Sequence, residues 1–202
     1  MLAVGETPLW VTIASSSMVS VLLSLAVTGW REGRKDKRDM NADSLGVAWA
    51  LEGYVRVCAR MLVDSANAVD RAHLLHEYRP MDGIDLPKFE LPDAGWKYFS
   101  PKLADRIRGF PDSITDEAAA LGDRWQQNVI DDRFELVSEI ERLAIKFGQQ
   151  AWALAQEVRL EFGLPTDQVF ERMAPALGTI RAAAEVQTKM DQQRAAAQEA
   201  HN

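Results

Sequence analysis

Residues 9–30, LWVTIASSSMVSVLLSLAVTGW, contain no charged side chain. An uncharged run of this length narrows the choices to two: a bilayer span or a helix buried on all sides. A bilayer core of about 30 Å needs about 20 apolar helical residues. Trp10 and Trp30 lie 20 positions apart, which is about 30 Å of helix, and tryptophan favours the two headgroup interfaces. The span is therefore the preferred reading and a buried core helix the alternative. A cleaved signal peptide carries positive charge ahead of its apolar run. Here the leading MLAVGETP, read as a short extracytoplasmic tail over residues 1–8, holds Glu6 and no Lys or Arg.

The positive charge follows the run instead. Arg31, Arg34, Lys35, Lys37 and Arg38, opposed by Glu32 and Asp36, give residues 31–38 a net charge of +3. By the positive-inside rule the N-terminus lies outside and the remainder in the cytoplasm. The five basic side chains are candidate contacts for anionic lipid headgroups, in a juxtamembrane segment at 31–43. Within the run, Thr12, Ser16, Ser20, Ser24 and Thr28 recur every four residues. Small hydroxyl residues at that spacing let two membrane helices approach closely. The stripe predicts a homo-oligomer or a membrane-protein partner. In the alternative, each hydroxyl bonds a carbonyl one turn back and faces lipid. Ser15, Ser17 and Gly29 dilute the pattern.

Beyond the anchor, charge excludes some functions. The chain has 23 basic and 30 acidic residues. Of these, 5 and 3 fall in the first 38 positions, leaving 18 and 27 and a net of −9 for residues 39–202. Non-specific nucleic-acid binding runs on Lys and Arg, so no nucleic-acid partner is expected. The single cysteine, Cys58, excludes an internal disulfide and a cysteine metal cluster. Abundant Ala, Arg and Asp give a bacterial look to the composition.

Residues 44–190 read as an all-α domain. Asn41, Asp43 and Ser44 offer caps for a new helix. From about 44 to 78, Ala48, Val55, Leu62, Val69 and His76 recur every seven residues, with Leu51, Cys58, Ser65 and Ala72 on the second seam position. This is a helix-packing stripe. Cys58 on that seam reads as a small buried hydrophobe.

Residues 79–113 hold five of the eight prolines, with Ile84, Leu86, Phe89, Leu91, Trp96, Tyr98, Phe99 and Phe110 among them. Proline stops helices, but disordered linkers are poor in such apolar residues. The segment is predicted to lie extended on the bundle. Ser100 and Pro101 should open a short helix over 101–108, stopped by Gly109.

Ser113 and Asp116 resemble a capping box opening a long helical stretch to about 162. Its seam runs Leu121, Trp125, Val129, Leu136, Ile140, Leu143, Phe147, Ala151, Leu154, Val158, with a bend expected at Asp131-Asp132-Arg133. Gly163 and Pro165 end it. Thr166 caps a further helix, which Pro175 should kink or restart. Fraying is expected over 191–202. The two long helices should pack antiparallel, as a bundle or an elongated hairpin.

No motif carries obvious chemistry, so the protein is read as not an enzyme, with no cofactor, no metal and no evident small-molecule substrate. Asp70, His73, His76 and Glu77 could offer zinc ligands. However, the histidines are three apart and not in the His-Glu-x-x-His pattern, and a helix end with His near its negative pole explains them. Asp131, Asp132 and Glu135 read as a solvated acidic face paired to Arg124 and Arg133. Trp96, Tyr98 and Phe99 are either a plug at the bundle end or a candidate partner patch.

The function expected from these features is a non-enzymatic, single-pass interaction or scaffold protein of a bacterial inner membrane. Two alternatives are a small membrane-bound enzyme or metal-binding protein using Asp70, His73, His76 and Glu77, and a phage-type envelope or lysis protein of reversed topology.

Overall fold

The absence of any proline between Leu9 and Leu75 leaves nothing in the chain to break a helix there, and one helix forms. In a computed structural model, the described residues are 9–130 and 132–199, with side chains described over 34–130 and 132–197. Helix α1 spans Leu9–Leu75. The new start predicted near Asn41, Asp43 and Ser44 is not made, and the capping residues find other partners. The Asp43 carboxylate accepts from the Gly95 backbone N–H at 2.9 Å, and Ser44 is buried.

Four more α-helices come after it among the described residues, and no strand. They are α2 (Pro101–Arg108), α3 (Phe110–Gln126), α4 (Arg133–Phe162) and α5 (Asp167–Glu199). The chain divides by its internal contacts into residues 1–42 and 43–202, and the second unit has a hydrophobic core of its own.

That core is built from α1, α4 and α5, with α2 and the first turns of α3 packed into it. Contacts between α1 and α4 descend along one helix as they climb the other. Glu52 meets Arg159, Cys58 approaches Gly148, and Ser65 bonds Glu141. The two helices are therefore antiparallel, as the matched seams predict. Ala48, Val55 and Leu62, and Leu51, Cys58, Ser65 and Ala72, are all buried. His76 is not. It lies past the end of α1 with φ 54° and is exposed.

Segment 79–113 behaves as its composition predicts. Met81 and Phe89 are buried, and the Tyr54 hydroxyl donates to the Pro87 carbonyl at 3.0 Å. Phe110 joins the segment to the core, with ring centroids 5.7 Å from Tyr54, 5.3 Å from Phe89 and 5.9 Å from Phe147. Helix α2 keeps its predicted bounds. Ser100, however, does not cap it through its side chain. Its N–H and hydroxyl both donate to Glu161, at 2.7 and 2.8 Å.

Several predicted boundaries move. Pro111 sits in the first turn of α3, where its missing N–H costs nothing, so α3 starts at Phe110 rather than at Ser113. The Ser113 hydroxyl then donates to the Gly109 carbonyl inside the helix. The expected interruption near 131–133 separates α3 from α4, with Asn128 at φ 54° in the turn. Asp132 caps α4 by accepting from Phe134 N–H at 3.1 Å. Across this turn Ile130 is buried, whereas Val129, assigned to the seam, is 62% exposed. Gly163 ends α4 in the left-handed conformation, φ 61°. Helix α5 continues through Pro175. The carbonyl that proline leaves without its helical donor belongs to Glu171, and both residues are exposed, so water can serve it. Helix α5 also continues past Met190 to Glu199, beyond the predicted onset of fraying.

Gly148 on α4 faces both Cys58 on α1 and Ile180 on α5. A Cβ there would stand 2.8 Å from Ile180 Cδ1 and 3.4 Å from Cys58 Cβ. Overpacking of this kind costs about 1–3 kcal/mol, against a helix-propensity gain of about 1 kcal/mol for alanine. Gly148→Ala should therefore destabilise by about 1 kcal/mol. Ile180→Val removes the colliding atom, so the double variant should be more stable than the two single effects add up to. Thermal melts of the four proteins check this, and strict additivity would contradict the close contact.

Candidate functional site

Residues assigned to lipid and membrane contacts fall in the first unit. The side chains of Thr12, Ser16, Ser20, Ser24, Thr28 and Arg31 lie outside the described residues. Arg34, Lys35, Lys37 and Arg38 are exposed on α1. Among the described residues no helix is long and apolar enough to cross a membrane. The side chains of residues 9–30 lie outside that description.

The aromatic stretch 96–99 packs on its own domain. Phe99 is buried with its ring 4.8 Å from Phe162 and 5.3 Å from Trp96. Trp96 and Tyr98 are half-buried against the same core.

The polar residues are rearranged more than the apolar ones. The set Asp70, His73, His76 and Glu77 is divided between two hollows: His73, His76 and Glu77 line one, and Asp70 and His73 line the other. Helix α1 stops at Leu75, and His76 follows in the left-handed conformation, φ 54°. The His73 ring instead stacks on Phe134, centroids 4.6 Å apart and planes 13° from parallel. Among the described residues no group of three or more His, Cys, Asp or Glu is disposed to hold a metal ion. Arg124 and Arg133, predicted to pair with the acidic face, pair with Glu139 at 3.3 Å and Asp82 at 3.0 Å. Asp131 lies outside the described residues.

One half of each of these sequence clusters meets in a groove. It runs between the last turns of α1, the start of α4 and the distal part of α5, with a volume of about 680 Å³. Val69, Phe134, Val137 and Met190 supply apolar walls, and Asp70, Asp132, Glu135 and Glu141 supply carboxylates. His73 and Phe134 are shared with a smaller hollow of about 230 Å³ that includes His76, Glu77 and Tyr78. Exposed apolar side chains gather on the adjoining chain. Leu74, Leu75 and Tyr78 are 80%, 59% and 58% exposed. The groove joins residues more than sixty positions apart, so no local motif announces it. The available signal was that both acidic clusters sit at helix ends that an antiparallel pairing must bring together.

Glu141 forms the inner part of the groove wall. Its Oε1 accepts from the buried Ser65 hydroxyl at 2.6 Å. Burial pushes its carboxyl above the ordinary carboxylate range, and the Ser65 bond opposes that. The folded protein thus binds this proton more tightly than the unfolded chain does. Glu141 contributes most favourably in acid, and that contribution is lost as pH rises through its raised value. Glu141→Gln keeps an acceptor for Ser65 and removes the charge. It should raise the melting temperature at pH 7–8, with the difference shrinking towards about pH 4. A gap that widens in acid would contradict this.

Two other buried groups are chemically quiet. Burial pushes the Cys58 thiol up to about 12 and the Tyr54 hydroxyl well above its ordinary range. A thiol so placed is not a nucleophile at neutral pH. Arg159 and Glu52 form an ion pair at 2.7 Å, with both side chains buried. The pair was not legible in the sequence, since its members lie 107 positions apart.

Neither a family model, nor a curated protein, nor a solved structure matches this chain.

Proposed function

We propose that this protein is a non-enzymatic, single-pass interaction protein of a bacterial inner membrane. Residues 9–30 cross the bilayer with the N-terminus outside, the basic residues 31–38 lie at the inner headgroups, and the helical domain stands in the cytoplasm. One observation carries this reading. The 22 uncharged residues 9–30, with Trp10 and Trp30 near their ends, are followed by five basic residues within the next eight positions. The domain suits binding better than chemistry. Its one cysteine is buried, no group of three or more His, Cys, Asp or Glu among the described residues is disposed to hold a metal ion, and the groove between α1, α4 and α5 has apolar walls. Self-association runs through the stripe Thr12, Ser16, Ser20, Ser24, Thr28.

Alkaline carbonate extraction of membranes from expressing cells tests the anchor. The protein should stay in the pellet and be released only by detergent. Release by carbonate would overturn the reading. Ser16→Leu, Ser20→Leu and Ser24→Leu together should abolish cross-linking between copies in detergent, and unchanged cross-linking would remove the stripe from the proposal.

A further inference from the structure

Among the described residues, the charged side chains lining the groove between α1, α4 and α5 are predominantly acidic. Four carboxylates line it, Asp70, Asp132, Glu135 and Glu141, against one arginine, Arg194, and one histidine, His73, whose ring is stacked on Phe134. Among the described residues, no Lys or Arg stands within ion-pair distance of any of the four. This contrasts with the rest of α4, where Glu139 pairs with Arg124 and Arg142, and Glu157 with Arg106. The carboxylates flank apolar walls of Val69, Phe134, Val137 and Met190. Leu74, Leu75 and Tyr78, which follow His73 in the chain, are exposed. Apolar surface rimmed by polar groups marks an interaction site. Charge on the rim sets the sign of the partner, because complementary potentials steer association and like charges oppose it.

We infer that this groove receives a basic amphipathic segment of a partner protein. Its apolar side chains would lie against Val69, Phe134, Val137 and Met190, and its Lys or Arg residues would face Asp70, Asp132 and Glu135. This is the helix-in-groove mode of recognition, in which an apolar face docks and flanking charges select. The inference rests on the reading of the protein as an interaction module and supplies the chemistry of its partner. It does not depend on the membrane span.

The test uses the full chain in nanodiscs of zwitterionic lipid, with empty nanodiscs as background. The probe is a fluorescent lysine/leucine peptide roughly four helical turns long. Its twin has glutamate in place of every lysine. The lysine peptide should bind the wild-type protein, and the glutamate twin should not. Asp70→Asn with Glu135→Gln should weaken binding at least tenfold, as should the separate variant Glu135→Lys, while all variants keep the wild-type circular dichroism spectrum. Raising salt from about 50 to about 500 mM should weaken binding several-fold, as expected for exposed charges.

No binding by the wild-type protein, equal binding of the two peptides, or binding unchanged in both variants would each overturn the inference. If one variant unfolds, the other decides. Carbonate-resistant protein that fails to bind the peptide would overturn the groove alone. Carbonate-released protein that binds it would overturn the anchor alone.

Discussion

Replacing Arg159 by alanine should destabilise the helical domain by about 3–5 kcal/mol. Arg159 on α4 donates from Nε to Glu52 on α1 at 2.7 Å and from Nη1 to the Pro165 carbonyl at 2.6 Å, at the turn before α5. It thus ties all three core elements at one point. Both side chains of the ion pair are buried. Removing the guanidinium leaves the Glu52 carboxylate in a low-dielectric interior with no counter-charge, and that penalty dominates the loss. For a chain of this size the fall in melting temperature is roughly 10 °C or more. Replacing both partners with apolar residues, Arg159→Met with Glu52→Leu, removes the charge as well as the bond and should recover most of the stability. Melts of the single and double variants check this. If the double variant were as unstable as Arg159→Ala, the cost would lie in packing and not in the unpaired charge.

The second large effect is expected at Phe110. Its ring is buried and meets Tyr54, Phe89 and Phe147 edge to face. These neighbours come from α1, from the extended segment before α2, and from α4. Such pairs add about 0.5–1.5 kcal/mol beyond the area they bury. Phe110→Ala should therefore cost about 3–5 kcal/mol, and Phe110→Leu distinctly less, because most of the volume is kept. The segment over residues 82–95 should also become more open to protease in Phe110→Ala, since Phe89 loses one of its ring partners. Cleavage at the wild-type rate would mean that Phe110 does not hold the segment down.

What could be read from the chain tracked the range of the forces involved. Short-range signals worked well. Pro101 and Gly109 bounded α2, Gly163 ended α4 by taking φ 61°, and the seven-residue spacing of Ala48, Val55 and Leu62 gave the buried face of α1. Caps were less dependable, because a polar side chain goes to whichever partner the fold presents. Ser100 was taken by Glu161 and Asp43 by Gly95, each across more than fifty residues. Charges were the least legible. Nothing in the sequence singles out Glu52 and Arg159, which antiparallel packing puts face to face. The same packing set Asp70 and His73 beside Asp132 and Glu135, with His76 and Glu77 left at the adjoining hollow. The groove is therefore a product of topology. Its residue types were visible in the sequence, but their grouping was not.

The central claim is that this domain is held at the cytoplasmic face of a membrane by residues 9–30. It is tested most directly by fusing a reporter after Asn202 in bacterial cells, with green fluorescent protein in one strain and alkaline phosphatase in another. The account predicts fluorescence confined to the membrane fraction and an inactive phosphatase. An active phosphatase would place the helical domain on the opposite face, and fluorescence in the soluble fraction would show that nothing anchors it.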